Sequence, residues 1–515
     1  MELKPNIIDR AIMYVNPAAG AKRMQSRAVA EILKDNVRAY DAAGRGRRTK
    51  GWWATGASAN RETLQGLTLL RWRSRDLVRN NAYAKRAIQA ITTNTVGLGI
   101  RATPVEVEGK RFNKKTSAAW KSWAESTDCD WDGQANFYGL QRLAMRCIAE
   151  SGEVVIRRRW VEGKAIPIQL QVLEPDLIDH HRNTAVTIDS GYILQGIEFD
   201  GKGKIKGYWM YPFHPGEGTA VPSQFVPAKE ILHVYYKERA GQVRGVPFGS
   251  SAALSLYDFD EYEQAQLIRQ KIASCFAIFV QDNDADITRP TNGSVGGPVG
   301  PRREKVEPGI IEYLPQGKTV TMANPPGVQN YDEYASAMLR KIAVGFGVSY
   351  EILSGDLSNV NFSSGRMGWI EFHRLISEWQ NLMLVPMMCD PIWDWFIEAA
   401  AFMGEAQLGT KATWTPPRRE MIDPSKEIKA MSEAVRNGFE SWSSIVRQLG
   451  GDPNMVLDEI GKDYENFDEK ELMLSCDPRY DAARKIPPDQ ELPGNEEDEP
   501  TGKQMKASKK KNSQK

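Results

Sequence analysis

Two stretches carry the residue types of a phosphate-binding loop, and each lacks a part that the chemistry needs. GIEFDGKG at 196–203 matches G-x-x-x-x-G-K, but Gly203 stands where a Ser or Thr hydroxyl must hold magnesium. It also falls in a predicted hairpin rather than between a strand and a helix, so no cradle of amides would form. QGKT at 316–319 supplies GKT, yet Glu312 takes the place of the first glycine. Both read as turns. His180 and His181 are adjacent; on a strand they would point to opposite faces and could not share a metal. No HExxH or Cys/His spacing supports them. His233 lies in an apolar strand and reads as core-edge. GxSxG is absent, and Asp258 with Asp260 is too ordinary a pair to assign acid–base work. The sequence therefore predicts no catalytic residue, no cofactor and no metal site.

What remains is binding and assembly, and the totals bound it. At 515 residues the chain is too long for one core, so two or more domains are expected. Fourteen Trp favour extensive packing or subunit contact. A net charge of +1 argues against a sequence-specific DNA reader with a strongly basic face. An ordinary cytosolic protein predicts the same charge. The five Cys show no short pairing, as expected of reduced thiols in the cytoplasm. The first thirty residues lack an apolar signal core. The most apolar window, 382–397, holds two Asp and two Pro, so no membrane span is predicted.

The elements that would position a binding surface centre on residues 326–403. Asn330 is placed to cap a helix from Tyr331, with Tyr334, Met338, Ile342 and Phe346 on one drifting face and Gly345 and Gly347 ending it. VSYEILSGDLSNVNFSSG follows, too polar to be buried as a regular element. From Arg366 a long apolar helix places Trp369, Phe372, Ile376, Trp379 and Met383 on one stripe; Pro386 and Pro391 should kink or break it.

Upstream, residues 1–60 have weak periodicity and read as an arm that orders only on a neighbour. Arg45, Arg47, Arg48 and Lys50 in it fit a phosphate contact or a solvated tail. Ser74 is placed to cap a helix from Arg75 carrying Leu77, Ala84, Ile88 and Ile91, stopped by Gly97 and Gly99. Helices are predicted at 113–126, with Trp120 and Trp123, and from Asn136 to Gly152. EVVIRRRW at 153–160, an alternating IQLQVLE at 168–174, a hairpin about Asp200–Gly203 and EILHVYY at 230–236 read as strands. Helices followed by mostly antiparallel strands make this an α+β domain.

PFGSSAALSLYDFDEYEQAQLIRQKIASC at 247–275 reads as a helix without a single apolar stripe, one that needs neighbours on several sides. AIFV, the Gly/Pro-rich loop 289–301, and a strand pair GIIEYL/KTVTM about Pro315–Gly317 come next. Three short helices start at Asp423-Pro424, Ser441 and Asp452-Pro453. Beyond Pro478, opposed acidic and Lys-rich blocks predict disorder.

LRKIAVGFGVSYEILSGDLSNVNFSSGRMGWIEFHRLI at 339–376 resembles the core of the portal proteins of tailed bacteriophages, in the lambda-like family, and the likeness runs from about Leu67 to Leu472. Trp120, Trp123, Asp130 and the ESGE at 150–153 also match that family's wing. The resemblance implies a portal fold: an N-terminal arm (1–65), an α/β wing (66–246), a first stem helix (247–275), a small β-containing clip (276–330) and a second stem helix (331–348). A channel loop (349–365), a long kinked spine helix (366–415), a helical crown (416–476) and a charged tail (477–515) complete it.

It further implies a cyclic homo-oligomer of about twelve subunits at one capsid vertex, passing double-stranded DNA without sequence specificity and bridging head to tail. The partners would be the terminase large subunit, a head–tail adaptor and the major capsid or scaffold protein, in the host cytoplasm during assembly and in the virion afterwards. Ser358, Asn359, Asn361, Ser363, Ser364 and Arg366 are the candidate DNA-facing residues, through weak neutral bonds to phosphates. Arg366 would either grip DNA or pair with a carboxylate. Arg302, Arg303 and Lys305 are the candidate partner-facing residues of the clip. Two other classes compete: a nucleic-acid-processing enzyme with a divergent site on the 153–236 sheet, and a capsid or adaptor protein that does not touch DNA.

Overall fold

The computed structural model describes residues 7–36, 51, 54–105, 114–184, 191–218, 221–274, 278–282, 318–322, 331–358, 360–418, 420–421 and 423–472. By contact the chain divides into Met1–Glu62 and Thr63–Lys515. The first unit is more regular than its sequence suggests. Helices α1 (Ile7–Val15) and α2 (Pro17–Asn36) pack on each other, and Asp9 is tied to Arg23 at 3.1 Å. The weak periodicity concealed a helical pair. Arg45, Arg47, Arg48 and Lys50 lie outside the described residues.

The second unit opens, at Thr63, within α3 (Ala59–Asn80), and α4 (Ala82–Thr95) follows. Asn81 is the cap between them, its side chain accepting from the Tyr83 and Ala84 amides. Ser74 does not cap: it sits inside α3 and donates to the Glu150 carbonyl at 2.6 Å. A serine hydroxyl serves either end equally well, and only the tertiary neighbour decides. Strand β1 (Arg101–Pro104) follows, then α5 (Lys114–Glu125) and α6 (Phe137–Ser151), capped by Asn136 and stopped by Gly152 in the left-handed conformation.

Strands β2 (Glu153–Trp160), β3 (Ile168–Leu173), β4 (Tyr192–Leu194), β5 (Ile197–Phe199), β6 (Ile205–Met210), β7 (Gln224–Pro227) and β8 (Ile231–Tyr235) form two sheets. Their orders are β3-β2-β8 and β4-β5-β6-β7, all antiparallel. The hairpin about 200–203 is present, with the Asp200 carboxylate accepting from the Lys202 and Lys204 amides. β2 is buried on both faces for its first half: Val154 and Ile156 enter the main core, while Val155 enters a second core under the four-stranded sheet. For the same reason β3 does not alternate; Ile168, Gln169 and Leu170 are all buried. The chain is thus an α+β protein.

Helix α7 (Ala253–Ser274) leaves Leu254, Tyr257, Leu267 and Ile268 exposed, as a helix with no single stripe must. Strand β9 (Ile278–Asp282) pairs antiparallel with β10 (Lys318–Met322). KTVTM was expected to pair with GIIEYL; the observed partner is β9, and GIIEYL, Arg302, Arg303 and Lys305 lie outside the described residues.

Helix α8 (Tyr331–Phe346) begins where expected, although Asn330 itself is outside the described residues. Its buried face is Leu339, Ile342, Ala343 and Phe346, a three–four stripe; Tyr334 is exposed. Gly345 lies inside this helix rather than ending it. A Cβ there would meet the Ala252 Cβ at 2.6 Å, and one at Gly249 would meet the Phe346 ring at 2.3 Å. These two glycines let α8 cross the start of α7 closely.

The predicted irregular stretch contains a short helix, α9 (Tyr350–Ser354), whose Leu353 is buried. The long helix starts before Arg366, as α10 (Phe362–Glu378). It passes without a break into a π-helical segment, Trp379–Cys389, and then α11 (Asp390–Phe402). Pro386 lies in the wide turns and Pro391 in the first turn of α11. There the Asp390 amide reaches back five residues to Val385. The i→i+5 register accommodates the missing amide and the ring that would clash in an α-helix.

Strand β11 (Ala412–Thr415) returns to pair with β1. Around it Trp120 meets Trp123, Phe137, Trp393 and Phe396 at 4.8–5.5 Å between ring centroids. Three indole N–H groups are satisfied, by Ile168 O, Thr410 O and Asp390 Oδ1. Helices α12 (Pro424–Arg436), α13 (Trp442–Gln448) and α14 (Pro453–Glu469) carry the predicted caps Asp423, Ser441 and Asp452. Residues 473–515 are outside the described set.

Candidate functional site

The polar loop narrows to residues 355–361, between α9 and α10. It is pinned at both ends. Gly355 adopts a left-handed cap with its amide on the Glu351 carbonyl, and Arg86 Nε donates to the Ile352 carbonyl at 3.1 Å, tying α9 to α4. At the other end Asn361 and Ser364 make a reciprocal box: Asn361 Oδ1 accepts from the Ser364 amide at 2.8 Å, and Ser364 Oγ accepts from the Asn361 amide at 3.2 Å. Two of the candidate DNA-facing side chains therefore also hold the start of a helix.

Within the loop Asp356 is the one charged residue. Ser358 donates to its Oδ1 from both hydroxyl (2.6 Å) and amide (3.0 Å), and the Tyr350 hydroxyl reaches Oδ2 at 3.2 Å. The Ser358 bonds hold the carboxyl below its ordinary value. Ser358 is exposed; Asn359 and the side chain of Ser363 lie outside the described set. Arg366 is exposed one turn along α10. It lines a cleft of about 800 Å³ with Trp369 and Ile370 of the same helix and Met421, Glu420 and Glu427 on the C-terminal side. Arg366 and the carboxylates Glu420 and Glu427 line the same cleft.

A second polar cluster went unseen in the sequence. Glu153, at the start of β2, is fully buried; Arg244 binds it through Nε and Nη2 (2.6–3.1 Å), Arg71 through Nη2 (2.7 Å), His233 through Nε2 (2.8 Å) and the Gly245 amide at 2.8 Å. Burial alone would raise this carboxyl, but Arg244, His233 and Arg71 reverse the effect and hold it well below its ordinary value. Burial lowers the pKa of His233 despite Glu153. Since an ionised carboxylate only accepts, His233 Nε2 is the donor in this bond. Glu153 stands 82 residues from Arg71 and 91 from Arg244, so no local spacing announces the group. The neighbouring histidines are not on a strand: the rings of His180 and His181 face each other at 3.8 Å, and His180, hydrogen-bonded to Thr68, is lowered to about 4 chiefly by burial.

Among the described residues one group, Glu174, Asp176 and His214, has the donors to hold a metal. Arg71 and Arg75 already sit on Asp176, at 3.5 and 2.5 Å, and supply the countercharge a cation would bring. No helix among the described residues is long and apolar enough to cross a membrane.

The chain is similar in sequence to known proteins. A probable portal protein of Halomonas phage phiHAP-1 is 28% identical over 423 residues, covering 77% of this chain and 80% of that one. Portal protein B of Escherichia phage lambda is 24% identical over 461 residues, covering 80% and 86%. Among solved structures, a chain from the neck of a native gene transfer agent particle, computed with C12 symmetry, aligns with a TM-score of 0.44 at 16% identity, over 74% of this chain and 94% of that one. The family model for phage portal proteins of the lambda type matches residues 45–380, which takes in the Glu153 cluster, α8 and the whole 355–361 loop. This chain belongs to the lambda family of phage portal proteins.

Proposed function

We propose that this capsid portal protein closes head-to-tail into a ring of about a dozen copies around passing double-stranded DNA, and performs no bond-making of its own. Its wing would be residues 66–246, its stem helices 247–275 and 331–348, its clip 276–330 and its crown 416–476. The loop would face DNA, with Ser358, Asn359, Asn361, Ser363 and Ser364 offering neutral contacts and Arg366 held back at the crown side. One observation supports the loop's role: it is pinned at both ends, and its single carboxylate is occupied by Ser358 and Tyr350. A rigid wall with little free charge neither clamps nor repels phosphates strongly, as sliding requires.

Arg302, Arg303 and Lys305 would meet the terminase large subunit during packaging and the head–tail adaptor afterwards, with the major capsid or scaffold protein around the wing. Assembly would take place in the host cytoplasm and the finished ring would stay at the virion vertex. An enzyme centred on the wing sheet finds no support, because Glu153 and Arg244 are fully buried and occupied by each other.

Removing only residues 357–360 tests the loop, since Asn361 and Ser364 must stay to cap α10. Rings should form in negative-stain images while the yield of DNA-filled heads drops. Normally filled heads would refute the DNA-facing assignment. A monomer or dimer under assembly conditions would refute the ring.

A further inference from the structure

The far half of β2 carries three successive arginines, and the alternation of a strand divides them. Arg158 turns to one face, against Glu398 and the Trp395 ring. Arg157 and Arg159 turn to the other, and together with Arg158, Trp131, Trp160, Lys229 and Glu230 they line a cleft of about 340 Å³. The cleft is short of negative charge. Glu230 reaches Arg157 at only 3.4 Å, Arg159 has the neutral Gln171 at 2.9 Å, and Arg157 Nε is buried with no hydrogen-bond partner among the described residues. Burial and the adjacent Arg157 lower the pKa of Arg159, as expected of like charges held together.

Large rings frame the site. Trp131 is 44% exposed beneath Arg159, and Trp160 is 52% exposed beside an open Phe402. Exposed Trp combined with Arg is the composition of a protein-binding centre. Glu230 already lies in the cleft, 3.4 Å from Arg157, and separate side-chain carboxylates on an extended segment can be spaced around it. Such a ligand exists in this chain: residues 489–499 hold Asp489, Glu491, Glu496, Glu497, Asp498 and Glu499, no basic residue, and the apolar Leu492. Nineteen residues separate this segment from the end of α14, a reach of up to roughly 70 Å at full extension.

We propose that the Arg157/Arg159/Lys229 cleft binds the acidic segment 489–499, of the same chain or of a neighbouring copy. Binding supplies the carboxylates that the two arginines lack and covers Trp131 and Trp160. The proposal is independent of whether the loop touches DNA.

Carbodiimide coupling of the full-length protein tests it, because the reagent joins an amine to a carboxylate only when they touch. Mass spectrometry should find Lys229 joined to Glu496–Glu499, and this product should fall about fivefold in the Arg157→Gln/Arg159→Gln double variant. Coupling within the C-terminal helices should not change. Tail carboxylates spread evenly over surface lysines, or coupled to Lys229 equally well in the double variant, would overturn the idea. So would a short DNA duplex that binds the cleft and removes the Lys229 product. Should the double variant fold poorly, neutralising the tail instead (Glu496→Gln, Glu497→Gln, Asp498→Asn, Glu499→Gln) leaves the cleft intact. Amide exchange at 157–160 and 229–231 should then quicken, and unchanged exchange would overturn the proposal.

Discussion

Glu153 and Asp356 are both carboxylates held below their ordinary pKa, and they get there by opposite routes. Glu153 gathers four partners from three distant parts of the chain and is fully buried. Asp356 takes its partners from two and six residues away, at the surface. In the first case a low dielectric makes each bond strong and each loss expensive. In the second, water stands ready to replace any partner that leaves. One site fixes how helices and sheet meet; the other exchanges its bonds with solvent at little cost.

Substitutions should reproduce this contrast, beginning with Glu153. Glu153→Ala leaves Arg244 buried without a carboxylate and Arg71 with Asp176 alone at 3.5 Å, a loss of about 3–5 kcal/mol; denaturant unfolding, or failure to recover soluble protein, would register it. A change below about 1 kcal/mol would mean the cluster is less tightly closed than its geometry. Acid should act next, and in one direction. The depressed carboxyl of Glu153 stabilises the fold fully above about pH 4.3 and loses this as pH falls toward its folded value. The depressed ring of His233 adds to it: below about pH 6.5 the unfolded histidine takes a proton that the folded one refuses, so stability again falls as pH drops. Unfolding midpoints should decline from neutral pH downward, and His233→Gln should flatten the part between about pH 6.5 and 5.

The loop lies at the mild end of the scale. Asn361→Ala removes the cap of α10 and should cost about 0.5–2 kcal/mol, read as faster amide exchange in the first turn of α10 with the sheet unaffected. Ser358→Ala should move global stability by no more than about 0.5 kcal/mol. If Ser358→Ala instead matched Glu153→Ala in an unfolding titration, the division into a fixed and a yielding region would fail.

Much of this architecture is visible in sequence because caps are local. Asn136, Asp423, Ser441 and Asp452 each bind an amide two or three residues on, within any reading window. Ser74 defeats the same rule because its acceptor, the Glu150 carbonyl, is 76 residues away. Distance in sequence likewise hides the β1–β11 pairing, in which Arg101 meets Thr415, and the choice of β9 as partner for KTVTM. The candidate loop was bounded too widely for a physical reason: Asn, Ser and Gly are as good at starting a helix as at avoiding one, and Asn361, Ser363 and Ser364 belong to a first turn. Of the Glu153 cluster the sequence offers His233, which reads as core-edge, and the ESGE tetrapeptide, through resemblance; no local spacing joins either to Arg71 or Arg244.

The wide-turn segment at 379–389 sets the phase of everything after it. Along an ordinary helix each residue advances the side chain by about 100°, so losing a single residue there would swing Trp393 and Phe396 away from Trp120 while leaving Phe372 and Ile376 where they are. The two halves of the longest rod in the protein are keyed to different locks, and the eleven residues between them work as a coupling that keeps both keys seated.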